Sequence, residues 1–200
     1  MIEIENIKKR SDQRYSDFVK AFENLNNKLK TSEQINLEKI KAKSEIEKVF
    51  MFSDFVAENL IRHPEIFIDL VNSGDLEQSY QDGFFKQQDL QKNLRNIIQK
   101  SINISNIDND KELKTLLAKI RMREMIRIAW RDLTNKADLE ETMSDLSELA
   151  ETIVDIAIKF IYDKLSIELG VPIDSKGNPQ HPIVLAMGKL GAKELNFSSR

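Results

Sequence analysis

The sequence predicts a mainly α-helical fold that gives way, near residue 183, to the beginning of an α/β domain. Apolar residues recur at steps of three and four over much of the first 170 residues, which is the spacing of helices that bury one face. Three of the four prolines and four of the six glycines lie after residue 169. We therefore expect a helical region at residues 1–170, a linker or turn at 171–182 and the first part of an α/β domain at 183–200.

The composition argues against several classes of site and partner. The 200 residues contain no cysteine, which excludes disulfides, cysteine-ligated zinc and thiol nucleophiles, and both histidines directly precede prolines. A net charge of −3 lacks the basic excess of a general nucleic-acid-binding surface. No run approaches the roughly 20 apolar residues of a membrane span. We expect a soluble, cytoplasmic chain that binds neither nucleic acid nor membrane and holds no metal through histidine.

The first two helices are predicted from apolar spacing and from the residues at their ends. Helical steps begin at Tyr15, and Thr31 with Gln34 resembles a capping box. A second helix is expected over residues 33–62. It ends there because Pro64 disfavours helical backbone at the residue before it.

The middle of the chain is predicted to be more broken. Residues 65–84 are expected to form short helical turns, interrupted at Ser73-Gly74 and Asp82-Gly83. A helix is expected over 86–100. Residues 101–110 are rich in Asn and Asp, which favour turns, and are expected to form a loop.

A long helix is expected over residues 111–133. Arg123, Arg127 and Arg131 follow one another at steps of four, so they lie on one basic ridge, while Trp130 points into a core. The ridge is either a contact for a phosphate or an acidic partner, or a solvated or internally paired face. Its spacing favours the second interpretation.

The helix after Asp138 has the clearest pattern in the chain. Asp138 and Glu141 suit a helix start, and Gly170 suits a C-cap. Between them runs an apolar seam with a seven-residue repeat, expected to be core. Its repeating residues are Leu146, Ile153, Phe160 and Ile167.

The segment after residue 182 changes in character. Ile183 to Met187 is a short apolar run, typical of a buried strand, and it meets a glycine turn that contains Gly188 and Lys189. We expect a short helix over Ala192–Leu195 to follow. The turn is not a Walker A loop and is an imperfect dinucleotide fingerprint, but glycine backbone and a lysine charge suit a phosphate.

Residues 185–199, LAMGKLGAKELNFSS, resemble the first motif of the bifunctional glutamine synthetase adenylyltransferase/adenylyl-removing enzymes, G-K-L-G-G-x-E-L-N-x-x-S-D-I-D-L. Residues 52–65, from Phe52 to Glu65, are similar to a helical signature of this family. Residues 123–133, REMIRIAWRDL, are similar to another. The three motifs occur in order, whereas the first fifty residues add little.

The resemblance implies a fold and an activity. The chain would comprise a helical bundle followed by the first strand and helix of a truncated α/β nucleotidyltransferase domain, in the half that removes AMP from a tyrosine of glutamine synthetase by phosphorolysis. Magnesium is the implied cofactor, ATP, ADP and phosphate are the implied ligands, and a PII signalling protein is a further implied partner. The implied nucleotide-binding residues are Gly188, Lys189, Gly191 and Ser199.

Two departures from the family motif affect this expectation. Ala192 stands where the family has the second glycine of a pair, and Arg200 stands where the first metal-binding Asp is expected. Because a cation there repels magnesium, no catalytic or metal residue is assigned, and the chain alone is expected to be inactive. With its partner strands missing, the 183–187 run is expected to stay exposed, to pair between molecules or to be poorly ordered. The alternative is a non-catalytic helical module that binds a partner through the arginine ridge or the seam.

Overall fold

The computed structural model describes residues 2–30, 34–37, 42–79, 100, 107 and 109–198 of the chain. These residues are mainly helical and form no β-strand, only one antiparallel bridge between Ile173 and Pro179. The chain divides into two compact units, residues 1–79 with 125–139, and residues 80–124 with 140–200. The described helices are α1 (Ile2–Asn26), α2 (Ala42–Phe52), α3 (Asp54–Arg62), α4 (Pro64–Ser73), α5 (Asp110–Leu133), α6 (Leu139–Leu169) and α7 (Gly188–Gly191).

Aromatic side chains form the core of the first unit. Phe18 of α1 makes edge contacts with Phe50 of α2 and Phe67 of α4, with ring centroids 5.5 and 5.4 Å apart. The Trp130 ring lies 5.5 Å from Phe67 and is 1% exposed, as predicted for a core residue. Edge-to-face aromatic pairs add roughly 0.5–1.5 kcal/mol each to the burial of their surface. The helical spacing of these aromatics therefore determines how α1, α2 and α4 pack.

The predicted single helix over 33–62 is wrong. Residues 34–37 are not helical, and residues 42–62 are divided into α2 and α3 at Ser53. Ser53 has extended backbone, with φ −134° and ψ 101°, and its hydroxyl accepts the amide of Val56 at 3.2 Å. A serine side chain that bonds a nearby amide competes with continued helix, so the break follows from local chemistry that apolar spacing does not reveal.

Helix α4 begins at Pro64 and ends at Ser73, and the following Gly74 is its C-cap with φ 77°, so the predicted boundaries at Pro64 and Ser73-Gly74 are confirmed. The predicted Thr31 cap and the break at 82–83 lie outside the described residues. The same is true of the helix over 86–100 except for Lys100, and of most of the loop at 101–110.

Helix α5 confirms the prediction for residues 111–133, and its C-terminus has a defined geometry. Asn135 adopts φ 58°, and the amide of Lys136 donates to the carbonyl of Arg131 at 2.8 Å. The amide of Asn135 donates to Asp132 at 3.1 Å. These two bonds and the left-handed residue form a Schellman motif, with Asn where glycine is commonest.

In the second unit, α6 follows Asp138 directly and ends before Gly170, which has φ 87°. The seam is buried in its first half, where Leu146 is 5% exposed, and Ile153 and Phe160 pack on a cluster around Leu117 and Ile156. The prediction of a fully buried seam is wrong at Ile167, which is 87% exposed. The apolar repeat therefore extends two turns beyond the packed core.

The chain after α6 is held against that helix at two places. The Tyr162 hydroxyl donates to the carbonyl of Gln180 at 2.8 Å, and the Leu195 amide donates to the Ser147 hydroxyl at 3.3 Å. Gln180 therefore contacts the later of the two residues in α6, Tyr162, and Leu195 contacts the earlier one, Ser147. The segment from Gln180 to Leu195 thus runs back along α6. In the described residues, no helix is long and apolar enough to cross a membrane.

Candidate nucleotide-binding site

The glycine turn begins with an abrupt change of backbone direction. Met187 is extended, with φ −122° and ψ 165°, and Gly188 then adopts φ 60° and starts α7. The buried strand predicted at 183–187 is wrong here, because these residues form no strand and Ile183 and Leu185 are 85% and 83% exposed. Their exposure agrees with the first of the outcomes expected for a strand without partners.

The short helix lies earlier than predicted. It covers Gly188–Gly191 rather than Ala192–Leu195, so Gly188 and Gly191 are the first and last residues of the helical turn. The apolar run and α7 approach each other closely, because a Cβ on Gly191 would lie 2.5 Å from the carbonyl oxygen of Ala186. No side chain fits at that distance. Gly191 is therefore required by the fold of the motif, independently of any ligand.

A second Schellman motif closes the turn. The amide of Glu194 donates to Lys189 at 2.7 Å, the amide of Lys193 donates to Leu190 at 3.1 Å, and Lys193 has φ 57°. Ala192 has φ −83° and ψ −4°, a conformation open to any L residue, so the backbone does not need the family's second glycine here.

The predicted site residues are brought together in part. Gly188, Lys189 and Gly191 are exposed and share one helical turn, so the two glycines and the Lys189 side chain lie within one small region. Ser199 and Arg200 lie outside the described residues.

One wall of the motif is formed by α6. Ser147 is fully buried, and its hydroxyl donates to the carbonyl of Met143 at 2.8 Å while it accepts the Leu195 amide. A hydroxyl with one donated and one accepted bond has a fixed orientation. The polar end of the motif is therefore attached to the helical part of the chain.

Beside Ser147 lies a buried carboxyl group. Glu148 is 1% exposed, and among the described residues no hydrogen-bond partner reaches its Oε2 atom. Burial raises the pKa of Glu148 from 4.5 to about 7; the Lys193 ammonium lowers it, and the Asp145 and Glu151 carboxylates raise it. A cation of the glycine motif thus acts on a carboxyl group of α6.

The arginine ridge is not a solvated face. Arg127 and Arg131 are each 1% exposed, and Arg131 donates to the carbonyls of Leu76 and Lys136 at 3.4 and 2.9 Å. Arg123 pairs with the carboxylate of Glu124. The interpretation as an internally paired face is confirmed for Arg131, and the buried part of the ridge offers no surface to a partner protein.

Sequence reasoning missed Ser147 and Glu148. The sequence signal for Glu148 is a row of polar residues at four-residue steps beside the apolar seam, Ser144, Glu148 and Thr152, all of which are buried. No local pattern relates residue 147 to residue 195, because that bond joins residues 48 positions apart.

Comparison with known proteins agrees with the motifs. The family model of glutamate-ammonia ligase adenylyltransferase matches residues 43–200. Three curated relatives are bifunctional glutamine synthetase adenylyltransferase/adenylyl-removing enzymes. The Shewanella loihica protein is 38% identical over 168 residues, the Nitrosococcus oceani protein 40% over 148 and the Pseudomonas aeruginosa protein 40% over 153.

The matches cover 84%, 74% and 76% of this chain, but only 16%, 14% and 14% of the respective relatives. The chain therefore spans about a sixth of the length of the curated relatives it matches. The match to the family model covers well over half of this chain and includes the glycine turn. The chain belongs to the glutamate-ammonia ligase adenylyltransferase family.

Proposed function

We propose that this chain is the N-terminal part of an enzyme that regulates glutamine synthetase by adenylylation and deadenylylation of a tyrosine. We place it in the half that removes AMP by phosphorolysis. The observation that carries the proposal is the family match over residues 43–200, which includes the glycine motif at 188–191. Relatives in three organisms are named for the same pair of activities.

The proposed reaction transfers an adenylyl group from tyrosine to phosphate. An oxygen of inorganic phosphate attacks the phosphorus of the tyrosine-bound AMP, the bond to the tyrosine oxygen breaks, and that oxygen takes up a proton. The products are ADP and free tyrosine. Negative charge accumulates on the phosphate oxygens, so exposed amides and cations beside them are the groups that stabilise it.

Within this reaction we assign nucleotide binding to Gly188, Lys189, Gly191 and Ser199. The Gly188 backbone, with φ 60° and open space where a side chain would be, permits close approach of a phosphate. Lys189 is exposed beside it and supplies one positive charge. Gly191 keeps the turn compact.

The described residues offer no site for the magnesium that the resemblance implies. In the described ranges, no cluster of three or more His, Asp or Glu side chains is placed to hold a metal ion. In the sequence, Arg200 occupies the position of the first expected metal-binding Asp. We therefore propose that the 200-residue chain alone binds nucleotide without catalysing phosphorolysis.

The proposed partners follow from the same family role. Glutamine synthetase is the substrate protein, a PII signalling protein is the regulator, and the cytoplasm is the compartment. The alternative, a non-catalytic interaction module, depended partly on an accessible arginine ridge, and the burial of Arg127 and Arg131 weakens that basis.

The nucleotide assignment is tested by titrating ADP into the chain and following the amide resonances of Gly188 and Lys189. We expect a saturable shift of both, and a dissociation constant raised about tenfold in Lys189→Ala, because one charge-assisted contact contributes about 1.5 kcal/mol. Lys176→Ala is the matched control, since Lys176 is exposed in a separate turn. The assignment is contradicted if both substitutions raise the dissociation constant equally, or if ADP shifts neither amide resonance in the unmodified chain.

The proposed lack of catalysis has its own test. The chain is incubated with adenylylated glutamine synthetase and phosphate in the presence of magnesium, and ADP release is measured. We expect none above the rate without the chain. Release that disappears in Lys189→Ala would show that the chain is a complete catalyst.

A further inference from the structure

We propose that Ser147 is a positioning residue for the glycine motif, so that α6 determines where Gly188 and Lys189 lie. This inference rests on the proposed function only in taking the motif as the nucleotide site. The position of the motif itself can be measured without nucleotide.

The first argument is the geometry of the Ser147 hydroxyl. Its proton is directed to the Met143 carbonyl at 2.8 Å, which leaves its oxygen lone pairs for the Leu195 amide at 3.3 Å. The side chain is fully buried, so water does not replace either bond. Without this hydroxyl, the Leu195 amide loses the partner that fixes its distance from α6.

The second argument is the stiffness of the chain between Leu195 and the glycine turn. The Schellman bonds from Lys193 and Glu194 to Leu190 and Lys189 join the end of α7 to the following residues. Close packing of Gly191 on Ala186 joins α7 to the residues before it. A shift at residue 195 is therefore transmitted to Lys189 instead of being absorbed by a loose loop.

The third argument is a second contact at the same place. Glu148, adjacent to Ser147 on α6, is buried and interacts electrostatically with Lys193 of the motif. One hydrogen bond and one charge interaction thus act on residues 193–195 from neighbouring positions of one helix. Together they hold the polar end of the motif at a defined point on α6.

The experiment compares three variants of the full 200-residue chain. Ser147→Ala removes the hydroxyl, Ser147→Cys keeps the size with a weak acceptor, and Ser144→Ala is the control. Ser144 is also buried on α6, one turn earlier, and among the described residues its hydroxyl has no hydrogen-bond partner. Amide hydrogen exchange of Leu195 and the amide resonances of Gly188 and Lys189 are measured without nucleotide.

We expect Leu195 to exchange about five- to tenfold faster in Ser147→Ala, an intermediate rate in Ser147→Cys, and no change in Ser144→Ala. The resonances of Gly188 and Lys189 should shift in the first variant only. Unchanged Leu195 exchange in Ser147→Ala overturns the proposal, as does an equal effect of Ser144→Ala.

A second arm adds ADP to the same variants. We expect the dissociation constant to rise in Ser147→Ala and not in Ser144→Ala. An unchanged constant, despite faster Leu195 exchange, overturns the positioning role. Failure of the unmodified chain to bind ADP contradicts the proposed function, whereas the nucleotide-free arm still decides whether Ser147 positions the motif.

Discussion

At the scale of single residues, the burial of Glu148 disfavours the charged form of its carboxyl group. The side chain is 1% exposed, and burial raises its pKa to about 7, against the opposing effect of Lys193. The folded chain therefore binds this proton more tightly than the unfolded chain, in which the group titrates near 4.5. Between these two values the folded state carries more protons, so the free energy of unfolding falls as the pH rises.

The prediction is that Glu148→Gln removes this pH dependence. Glutamine keeps the shape and has no charge, so the variant should equal the unmodified chain near pH 4.5 and exceed its stability above pH 7, by up to about 3 kcal/mol. Urea unfolding at several pH values measures the difference. Glu168→Gln, at an exposed position of α6, is the matched control for the substitution itself. A variant that loses stability equally at every pH would contradict the stated origin of the effect.

The residues of the site differ in how far the sequence could predict them. Gly188 and Lys189 are recognisable because a glycine turn with a lysine is a local pattern. The close approach of Gly191 to Ala186 follows only from the backbone path, and the Ser147–Leu195 bond depends on tertiary structure. Local patterns therefore identify the exposed half of the motif and omit the residues of α6 that hold it.

At the scale of elements, the ends of the helices determine where side chains meet. The Schellman motif after α5 places Lys136 so that its ammonium contacts Glu45 at 2.8 Å and Glu77 at 2.6 Å. The same Glu45 carboxylate accepts the Trp130 indole at 3.1 Å. The end of α5 thus joins α2 and the residues after α4.

This arrangement depends on the left-handed backbone of Asn135. Asn135→Ala should lower the free energy of unfolding by about 1 kcal/mol, because a Cβ-bearing residue without Asn's local hydrogen bonding disfavours that conformation. Asn135→Gly should be neutral or slightly stabilising. Urea unfolding of the pair at one pH measures both effects, and since Asn135 is exposed, neither substitution alters core packing. A larger loss in the glycine variant would be inconsistent with this account.

Element prediction from sequence worked where apolar spacing and a helix end agreed. For α6 both signals are present, and the bounds of α5 and α6 match the prediction within a residue or two. The helix over 33–62 failed because Ser53 caps α3 inside a continuous apolar pattern. The strand at 183–187 failed because an apolar run becomes a strand only when another strand pairs with it.

At the scale of the whole molecule, one helix belongs to both compact units. The division falls within α5, between Glu124 and Met125, so the two units share a continuous hydrogen-bonded backbone. Unfolding of residues 125–133 leaves the rest of α5 with a new frayed end. The units are therefore expected to unfold together rather than in separate transitions.

Trp130, the only tryptophan of the chain, reports on the first unit, and amide exchange along α6 reports on the second. Phe67→Ala removes the ring that packs against Trp130 and should lower the free energy of unfolding by about 3–5 kcal/mol. We expect it to lower the unfolding midpoint of both probes by the same amount. Phe52→Ala, at a side chain that is 65% exposed, should shift neither. Separate midpoints for the two probes would show that the units unfold independently.

The two anchors of the returning segment have a geometric consequence. Fifteen residue steps separate Ser147 from Tyr162, and fifteen separate Gln180 from Leu195. The helix covers its steps in about 22 Å, whereas an extended chain of that length reaches about 50 Å. The segment therefore has more than twice the contour length that the distance along α6 requires, and its slack is taken up by the bend at Met187 and the turn of α7. The glycine motif is therefore not located on α6 by a taut chain. It is located by the two hydrogen bonds at the ends of the segment, at Gln180 and Leu195.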